Sequence, residues 1–261
     1  MSRAKLNKEK WQSIKNECTK KHSKEYINWL ENKPIIDIRE VANKFNNVCS
    51  GWIGGKDSLV LHSILRKSGI HFTPIMWRGV NEFPCMTKWI NENAPADLIT
   101  ETIDDFSLDF LEKNPEYLFC KGDTKKKWLE LKWKRYNKDI PKHGFDLFIV
   151  ARRTADRNIC GKKENNFVVK KDKYSTYSPL AKWTHEELFA YISYNKIELP
   201  PLYSFKRGLE VGSIAMGEWT EYAQYDLTEK EVWDEIFEID RSIVFNASNR
   251  LTSAKKYLEE R

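Results

Sequence analysis

The sequence lacks the features that define several large protein classes. No apolar run approaches the length of a membrane-spanning helix, and the first residues (MSRAKLNKEKW) lack the apolar core of a signal peptide. No two of the five cysteines form a Cys-x-x-Cys pair, which argues against a zinc ribbon or a ferredoxin-type cluster. Internal repeats and low-complexity segments are also absent. These absences predict a cytoplasmic protein with reduced thiols and no membrane partner.

The length and composition are those of a globular protein. The 261 residues suffice for one substantial core with a small appended unit, and 41% of them are hydrophobic and 31% charged. The net charge of +6 suits a phosphate-bearing substrate, and it permits nucleic-acid binding without requiring it.

A glycine-rich loop follows the first short apolar run, in the segment 47–65 (NVCSGWIGGKDSLVLHSIL). Glycines let the backbone approach an anion, and the amides at the start of the following helix point toward it with the positive end of the helix dipole. Lys56 adds a mobile charge and Ser58 a hydroxyl donor. Asp57 follows Lys56, so this is not a Walker loop. The loop predicts a phosphate site made of Ser50, Gly51, Gly54, Gly55, Lys56, Asp57 and Ser58.

Strands and helices alternate after residue 45, which predicts an α/β fold with a doubly wound, mostly parallel sheet. Strands are predicted at 47–50, 71–77, 97–101, 145–150 and 167–170, and helices at 58–67, 84–92, 107–113 and 184–195. The predicted division is an N-terminal helical segment (1–45), an α/β domain (46–212) and a helical tail (213–261). Within the first segment, a helix over about 4–32 is expected to end at Pro34, with a short helix after it at 38–45.

A second anion-binding segment, ARRTADR (151–157), follows the strongly apolar strand 145–150. Because parallel strands end at the same edge of a sheet, this segment and the glycine loop are expected to converge. Arg152 and Arg153 would meet phosphates or an anionic second substrate, and Arg157 lies one helical turn beyond Arg153. The alternative is that these arginines form ion pairs with Asp156 or Glu164.

The most basic stretch is Lys121–Lys142, which carries Trp128 and Trp133 among its lysines. Asp123 or Thr124 is expected to cap its helix. Such a charge run is usually a solvated helix face, but interleaved aromatics and cations also suit a nucleic-acid or polyphosphate contact.

Four segments in the correct order resemble one family, the PAPS reductase-like branch of the PP-loop (adenine nucleotide alpha hydrolase) superfamily. They are Gly-Gly-Lys-Asp-Ser at 54–58, Val80–Pro84 (VNEFP, with Glu82), ARRTADR, and Ser178–Tyr203. The Ala-Arg-Arg form is closest to the small, ATP-using subunit of sulfate adenylyltransferase. The resemblance covers roughly residues 45–212.

The resemblance implies an enzyme that uses ATP and Mg²⁺ and cleaves ATP between its α- and β-phosphates. It assigns catalysis to Lys56, Arg152 and Arg153, and no metal-ligating side chain. Nucleotide binding would add the remaining loop residues, Glu82 and Arg157. It also implies a partner subunit or a homo-oligomer.

This chain departs from the family at three points. No cysteine follows Cys160, so the thiol chemistry of PAPS reductases is not expected. Gly212-Ser213 stands where many relatives have cysteines of a cluster, and Ile53 replaces the first serine of the loop or, with Trp52, interrupts its start.

Three functions therefore stay open. The first is adenylation of a small anion such as sulfate, with release of pyrophosphate. The second is modification of nucleic acid, favoured by the basic stretch and the basic N-terminal helix. The third is a nucleotide-binding module without turnover, favoured by Ile53 and the missing cysteines.

Overall fold

The structure of the chain is a computed structural model that describes residues 8–104, 106–119, 122–156, 158, 160–161, 167–205, 217–221 and 227–261. Its centre is a six-stranded sheet in the order β3-β2-β1-β4-β6-β5, parallel throughout except for the pair β5–β6. The strands are β1 Val48–Gly51, β2 Thr73–Gly79, β3 Ile99–Ile103, β4 Leu147–Ile149, β5 Val168–Lys170 and β6 Ser175–Tyr177. The predicted fold class is confirmed.

Helices cover both faces of the sheet. In the described part of the chain they are α1 Lys8–Lys21, α2 Lys24–Ala42, α3 Lys56–Ser68, α4 Pro84–Asn93, α5 Leu108–Lys113, α6 Gly122–Lys142, α7 His185–Tyr194, α8 Glu229–Ser248 and α9 Thr252–Glu259. None of these combines the length and the apolar character that crossing a bilayer requires.

Buried side chains form three clusters around the sheet. One joins α2, α3 and α7 to β1 and β4, with Ile27, Leu61 and Phe189 among its members. A second joins α4 and α5 to α8 and α9, and a third lies between the sheet and α6. Burial on both faces explains why β4 (Leu-Phe-Ile) reads as a continuous apolar run rather than as an alternating pattern.

The N-terminal prediction is wrong in two places. The expected single helix is divided, because Ser23 caps α2 with its side chain accepting a hydrogen bond from the Tyr26 backbone N–H. Pro34 lies inside α2 instead of ending a helix. A proline removes one backbone donor, but α2 buries Ile27 and Ile38 on either side of it, and this packing holds the helix together.

Two further local predictions are corrected. β6 was not expected, because three residues (Ser-Thr-Tyr) carry no strand periodicity of their own; it inserts between β4 and β5. Asp123 and Thr124 do not cap α6, since the helix already begins at Gly122 and includes both. By contrast, Gly69 ends α3 in the left-handed conformation, as its position after the amphipathic run predicts.

Candidate active site

The glycine loop connects β1 to α3 at the carboxyl edge of the sheet. Gly54 has φ +68°, and a Cβ built there would lie 2.8 Å from Cζ3 of Trp89. Trp89 in turn stacks on Trp52, with ring centroids 5.9 Å apart and planes 6° from parallel. Position 54 therefore requires glycine, because its φ is positive and because a side chain there would clash with Trp89. Trp52, one of the residues that depart from the family pattern, is buried and packs against Trp89.

Some of the loop's backbone donors are already used and others are not. The Ile53 N–H donates to the Ser58 hydroxyl over 3.4 Å, and the Lys56 N–H donates to the Tyr203 hydroxyl over 2.7 Å. The N–H groups of Gly54 and Gly55 make no hydrogen bond to any described residue. Gly55 is the N-cap of α3 and offers no side chain to the helix start. Unsatisfied amides at a helix N-terminus favour an anion.

Lys56, Asp57 and Arg153 form a buried ion-pair cluster beside these amides. The Asp57 carboxylate lies 2.5 Å from Lys56 Nζ and 2.8 Å from Arg153 Nε. Burial by itself would raise the pKa of Asp57, but the two neighbouring cations outweigh it and hold the pKa below its ordinary value. The convergence of the glycine loop with the ARRTADR segment, expected from topology, is therefore present at Arg153.

Arg153 is fully buried, and each side of its guanidinium has a partner. It donates to the Trp183 carbonyl over 3.2 Å and lies 2.8 Å from Asp156 and 3.2 Å from Nδ1 of His185. The pairing with Asp156 was one of the alternatives, and Arg153 makes it in addition to the contact with Asp57. Arg153 thus ties the phosphate loop to the start of α7.

Sequence reasoning missed His185 and Tyr203 as parts of this site. Burial, and then the Arg153 charge, lower the pKa of His185, so its ring is neutral near pH 7. Since Nδ1 faces the Arg153 donor, we assign the proton to Nε2, which lies 3.2 Å from the Ala155 carbonyl. His185 follows the Thr184 cap of α7, and Tyr203 follows Pro200-Pro201; only the family resemblance of these segments marked them.

Ser50 is the last but one residue of β1, next to the loop. It is 1% exposed, and its hydroxyl has no hydrogen-bond partner among the described residues. Gly51, the last residue of β1, passes close to the Phe148 ring, which a Cβ would approach to 3.3 Å. A buried hydroxyl without a partner is costly in the free protein, so it fits a site that a polar ligand completes.

Two predicted site residues, Arg152 and Glu82, do not join this cluster. Arg152 lies with its guanidinium 4.3 Å from the centre of the Trp133 ring on α6. Glu82, which lies between the end of β2 and the start of α4, pairs with Arg78 over 2.5 Å, and both line a cavity of about 310 Å³. Arg157 lies outside the described residues.

A larger cavity of about 580 Å³ opens at the opposite, amino edge of the sheet, beside Asn47 and His71, and is remote from the phosphate loop. No group of three or more His, Cys, Asp or Glu side chains suited to a metal ion occurs in the part of the chain that the structure describes.

The chain is similar to known proteins both in sequence and in structure. Residues 47–214 match the phosphoadenosine phosphosulfate reductase domain family. Sulfate adenylyltransferase subunit 2 of Aliivibrio fischeri is 28% identical, in an alignment that covers 68% of this chain and 67% of the relative, and the same subunit of Vibrio vulnificus gives the same values. The PAPS reductase of Candida auris, solved as a phosphate complex, has a TM-score of 0.51 at 19% identity, covering 69% of this chain and 90% of that one. The structural likeness shows the fold.

Proposed function

This chain belongs to the phosphoadenosine phosphosulfate reductase domain family, and on that premise we propose that it is a PP-loop enzyme that binds Mg-ATP and adenylates an anionic acceptor. The match over residues 47–214 confirms the predicted resemblance, which was drawn over 45–212. ATP use, adenylyl transfer and a cytoplasmic location are parts of the proposal.

The observation that carries the proposal is the glycine loop with its uncommitted donors. The Gly54 and Gly55 amides, both without a partner among the described residues, lie beside the Lys56 ammonium at the start of α3. An ammonium has three N–H donors, and Asp57 takes one, so Lys56 retains donors for a phosphate oxygen. Ser50 adds a buried hydroxyl at the same edge. These donors suit a phosphate chain.

In the proposed reaction an oxygen of the acceptor attacks the α-phosphorus in line. The bond from that phosphorus to the oxygen bridging to the β-phosphate breaks, and pyrophosphate leaves with the electron pair. The loop amides and Lys56 hold the phosphates and offset the charge that collects on the leaving group. No protein nucleophile takes part. Mg²⁺ would enter with the nucleotide and neutralise phosphate charge.

Asp57 and Arg153 have a positioning role in this proposal. Their contact keeps the Asp57 carboxylate turned toward two cations, so that its charge is offset before a phosphate arrives. The same pair fixes the first turn of α3, whose amides face the phosphates. Arg152, whose guanidinium lies beside Trp133 and not in this cluster, would bind the anionic acceptor.

The acceptor is proposed from the relatives. Two of them are named for sulfate adenylylation and are subunits, so sulfate is the first acceptor to test and a partner subunit is part of the proposal. Cysteine-dependent reduction is not proposed. Burial raises the pKa of Cys49, Cys85 and Cys160, which disfavours a thiolate at these three positions.

The test is release of pyrophosphate from Mg-ATP, with sulfate, single-stranded DNA, duplex DNA and RNA as separate acceptors. Lys56→Met should reduce release at least a hundredfold, on the order of the loss when one charge-stabilising donor is removed. Lys33→Met is the matched control, since Lys33 is an exposed lysine of α2 paired with Asp37. Release that survives Lys56→Met would refute the site. Tight ATP binding without product in every lane would favour a binding module.

Modification of nucleic acid at the same nucleotide site is a second candidate. It is favoured by the exposed lysines of α6, among them Lys126, Lys127, Lys134 and Lys138, for which the structure shows no carboxylate partner among the described residues. Stimulation by DNA or RNA and not by sulfate would select it.

A further inference from the structure

Two cations share one aromatic ring on the face of the sheet that α6 covers. The Arg152 guanidinium lies 4.3 Å and the Lys171 ammonium 4.8 Å from the centre of the Trp133 ring. Lys171 belongs to the turn between β5 and β6, and it also lies 5.1 Å from the centre of the Tyr174 ring. Two separate parts of the chain thus each bring a positive charge to within 5 Å of the centre of the Trp133 ring.

Neither charge is balanced by a carboxylate. Arg152 and Lys171 form no ion pair with any described residue, whereas Arg153, the next residue after Arg152, contacts two carboxylates. The hydrogen-bond partners of Lys171 are neutral, namely the Asn137 side chain at 3.4 Å and the Tyr174 hydroxyl at 3.2 Å. The cation–π contacts offset only part of the cost of holding two like charges together.

Partial burial adds to this cost. Both side chains are half-buried, and burial, followed by the Arg152 charge, lowers the pKa of Lys171. An anion between them would supply the missing counter-charge and accept hydrogen bonds from both. Arg and Lys donors of this kind are the usual ligands of sulfate and phosphate groups.

We propose that Arg152 and Lys171, supported by Trp133, form a binding site for a tetrahedral oxyanion, a sulfate or phosphate group. The site is separate from the Gly54–Ser58 loop, and the ARRTADR segment links them, because Arg153 contacts Asp57 while Arg152 contacts Trp133. Binding itself does not depend on the proposed function; only the identification of the bound group as part of the acceptor rests on it.

The oxyanion has two conceivable sources, a free ion or the backbone of a nucleic acid. Exposed lysines flank the pair on α6 (Lys134 and Lys138) and on the β5–β6 turn (Lys173). A row of cations beside an aromatic ring also suits a single strand, whose phosphates would follow the lysines. The experiment therefore has one arm for each source.

The first arm measures binding of inorganic sulfate and phosphate by calorimetry, and the second measures binding of a fluorescent oligothymidylate over a salt series. Lys171→Gln should weaken binding about tenfold or more in whichever arm the wild type binds, because a charge-assisted contact is lost. In the oligothymidylate arm it should also reduce the salt slope by about 0.7. Lys171→Arg should retain binding, and Lys33→Gln, an equal charge loss at an exposed position of α2, should have little effect.

Trp133→Leu is an independent second variant, which removes the ring and leaves both charges, and it should also weaken binding. Binding of the inorganic ions alone would assign the site to a small acceptor, and binding of the oligonucleotide to a strand. The inference is overturned if the wild type binds in neither arm, or if Lys171→Gln and Trp133→Leu both bind as the wild type does. Failure of the proposed function would be seen separately, as absence of pyrophosphate release while this site still binds.

Discussion

At the scale of single residues, the site depends on a charge cluster that is neutral as a whole and whose central pair, Asp57 and Arg153, is buried. Lys56 and Arg153 are opposed by Asp57 and Asp156, and every member lies within 2.8 Å of a partner. Buried ion pairs add little net stability but are costly to break, since removal of one member leaves another charge without water or partner. The cluster therefore serves the geometry of the loop more than the stability of the fold.

Arg153→Met should lower the free energy of unfolding by about 3–5 kcal/mol, because Asp57 and Asp156 would lose their shared partner. Asp57→Asn alone leaves Arg153 paired with Asp156 and should cost less. The double variant should cost less than the sum of the two, as expected for groups in direct contact. Urea unfolding of all four proteins measures this, and strict additivity would show that the Asp57–Arg153 contact is not formed.

Gly54 and Gly69 provide a matched pair of left-handed glycines, with φ +68° and +70°. A Cβ at Gly69 meets nothing within 4 Å, whereas at Gly54 it would meet Trp89. Gly69→Ala should cost about 1 kcal/mol, the backbone term alone. Gly54→Ala should cost about 1–3 kcal/mol more and weaken ATP binding, because Trp89 must move. Equal losses of stability in the two variants would refute the contact.

Burial of His62 should make the stability of the fold sensitive to acid. The ring is 7% exposed, its Nε2 has no partner among the described residues, and burial lowers its pKa from 6.5 to about 4. Because the unfolded chain binds this proton first, stability falls as pH is lowered from about 6.5 to about 4, by about 3 kcal/mol. His62→Leu should remove that part of the pH dependence. Parallel pH profiles of wild type and variant would contradict the assignment.

At the scale of elements, α7 connects the site to the N-terminal helices. Thr184 and Glu187 form a capping box at the start of α7, and the Glu187 carboxylate also accepts a hydrogen bond of 2.5 Å from the Tyr26 hydroxyl of α2. The cap fixes the first turn of α7, which carries His185 to Arg153.

Thr184→Ala should cost about 1 kcal/mol through loss of the cap. Thr228→Ala is the control, because Thr228 makes the same capping box with Glu231 at the start of α8. Both should lose similar stability in thermal unfolding, but only Thr184→Ala should weaken ATP binding. Weaker ATP binding in both variants would mean that general destabilisation, and not α7, is responsible.

Elements with a strong local signal could be predicted from the sequence. The start of α4 at Pro84, the cap of α5 at Ser107, the Thr184 cap and the Gly69 stop each follow from one local interaction. β6 and the continuation of α2 through Pro34 depend on packing against distant residues, which no local pattern records.

The same division applies to the site. The glycine loop and Arg153 could be found because strand topology brings them to one edge. His185 and Tyr203 could not, because their roles depend on where the chain returns after the last strand. The side chain of Arg152 points to α6 rather than to the loop, and residue order gives no information about that choice.

At the scale of the whole molecule, the tail returns to the edge that holds the site. The Phe83 N–H donates to the Gly217 carbonyl over 2.8 Å, and the Trp219 N–H to the Asn81 carbonyl over 3.1 Å. Trp233 of α8 packs in the same buried cluster as Trp52 and Trp89 behind the loop. The three-part division at 45 and 212 stays a prediction, but these contacts join the tail to the sheet.

Trp233→Ala should therefore affect more than the tail. The side chain is 1% exposed, and its ring centroid lies 5.1 Å from that of Phe119. Its loss should therefore lower the free energy of unfolding by about 3–5 kcal/mol. Phe245→Ala on the same helix is the control, since Phe245 is 53% exposed. Hydrogen exchange should become faster in β2 and α4 as well as in α8. Faster exchange confined to the tail would show that it folds apart from the sheet.

The proposed function requires this chain to cleave ATP between the α- and β-phosphates. The most direct measurement is the identity of the labelled product from γ-labelled Mg-ATP, incubated with sulfate and, separately, with nucleic acid. The label should appear in pyrophosphate, and Lys56→Met should abolish its release. Label in orthophosphate, produced by the wild type and lost in Lys56→Met, would contradict the claim.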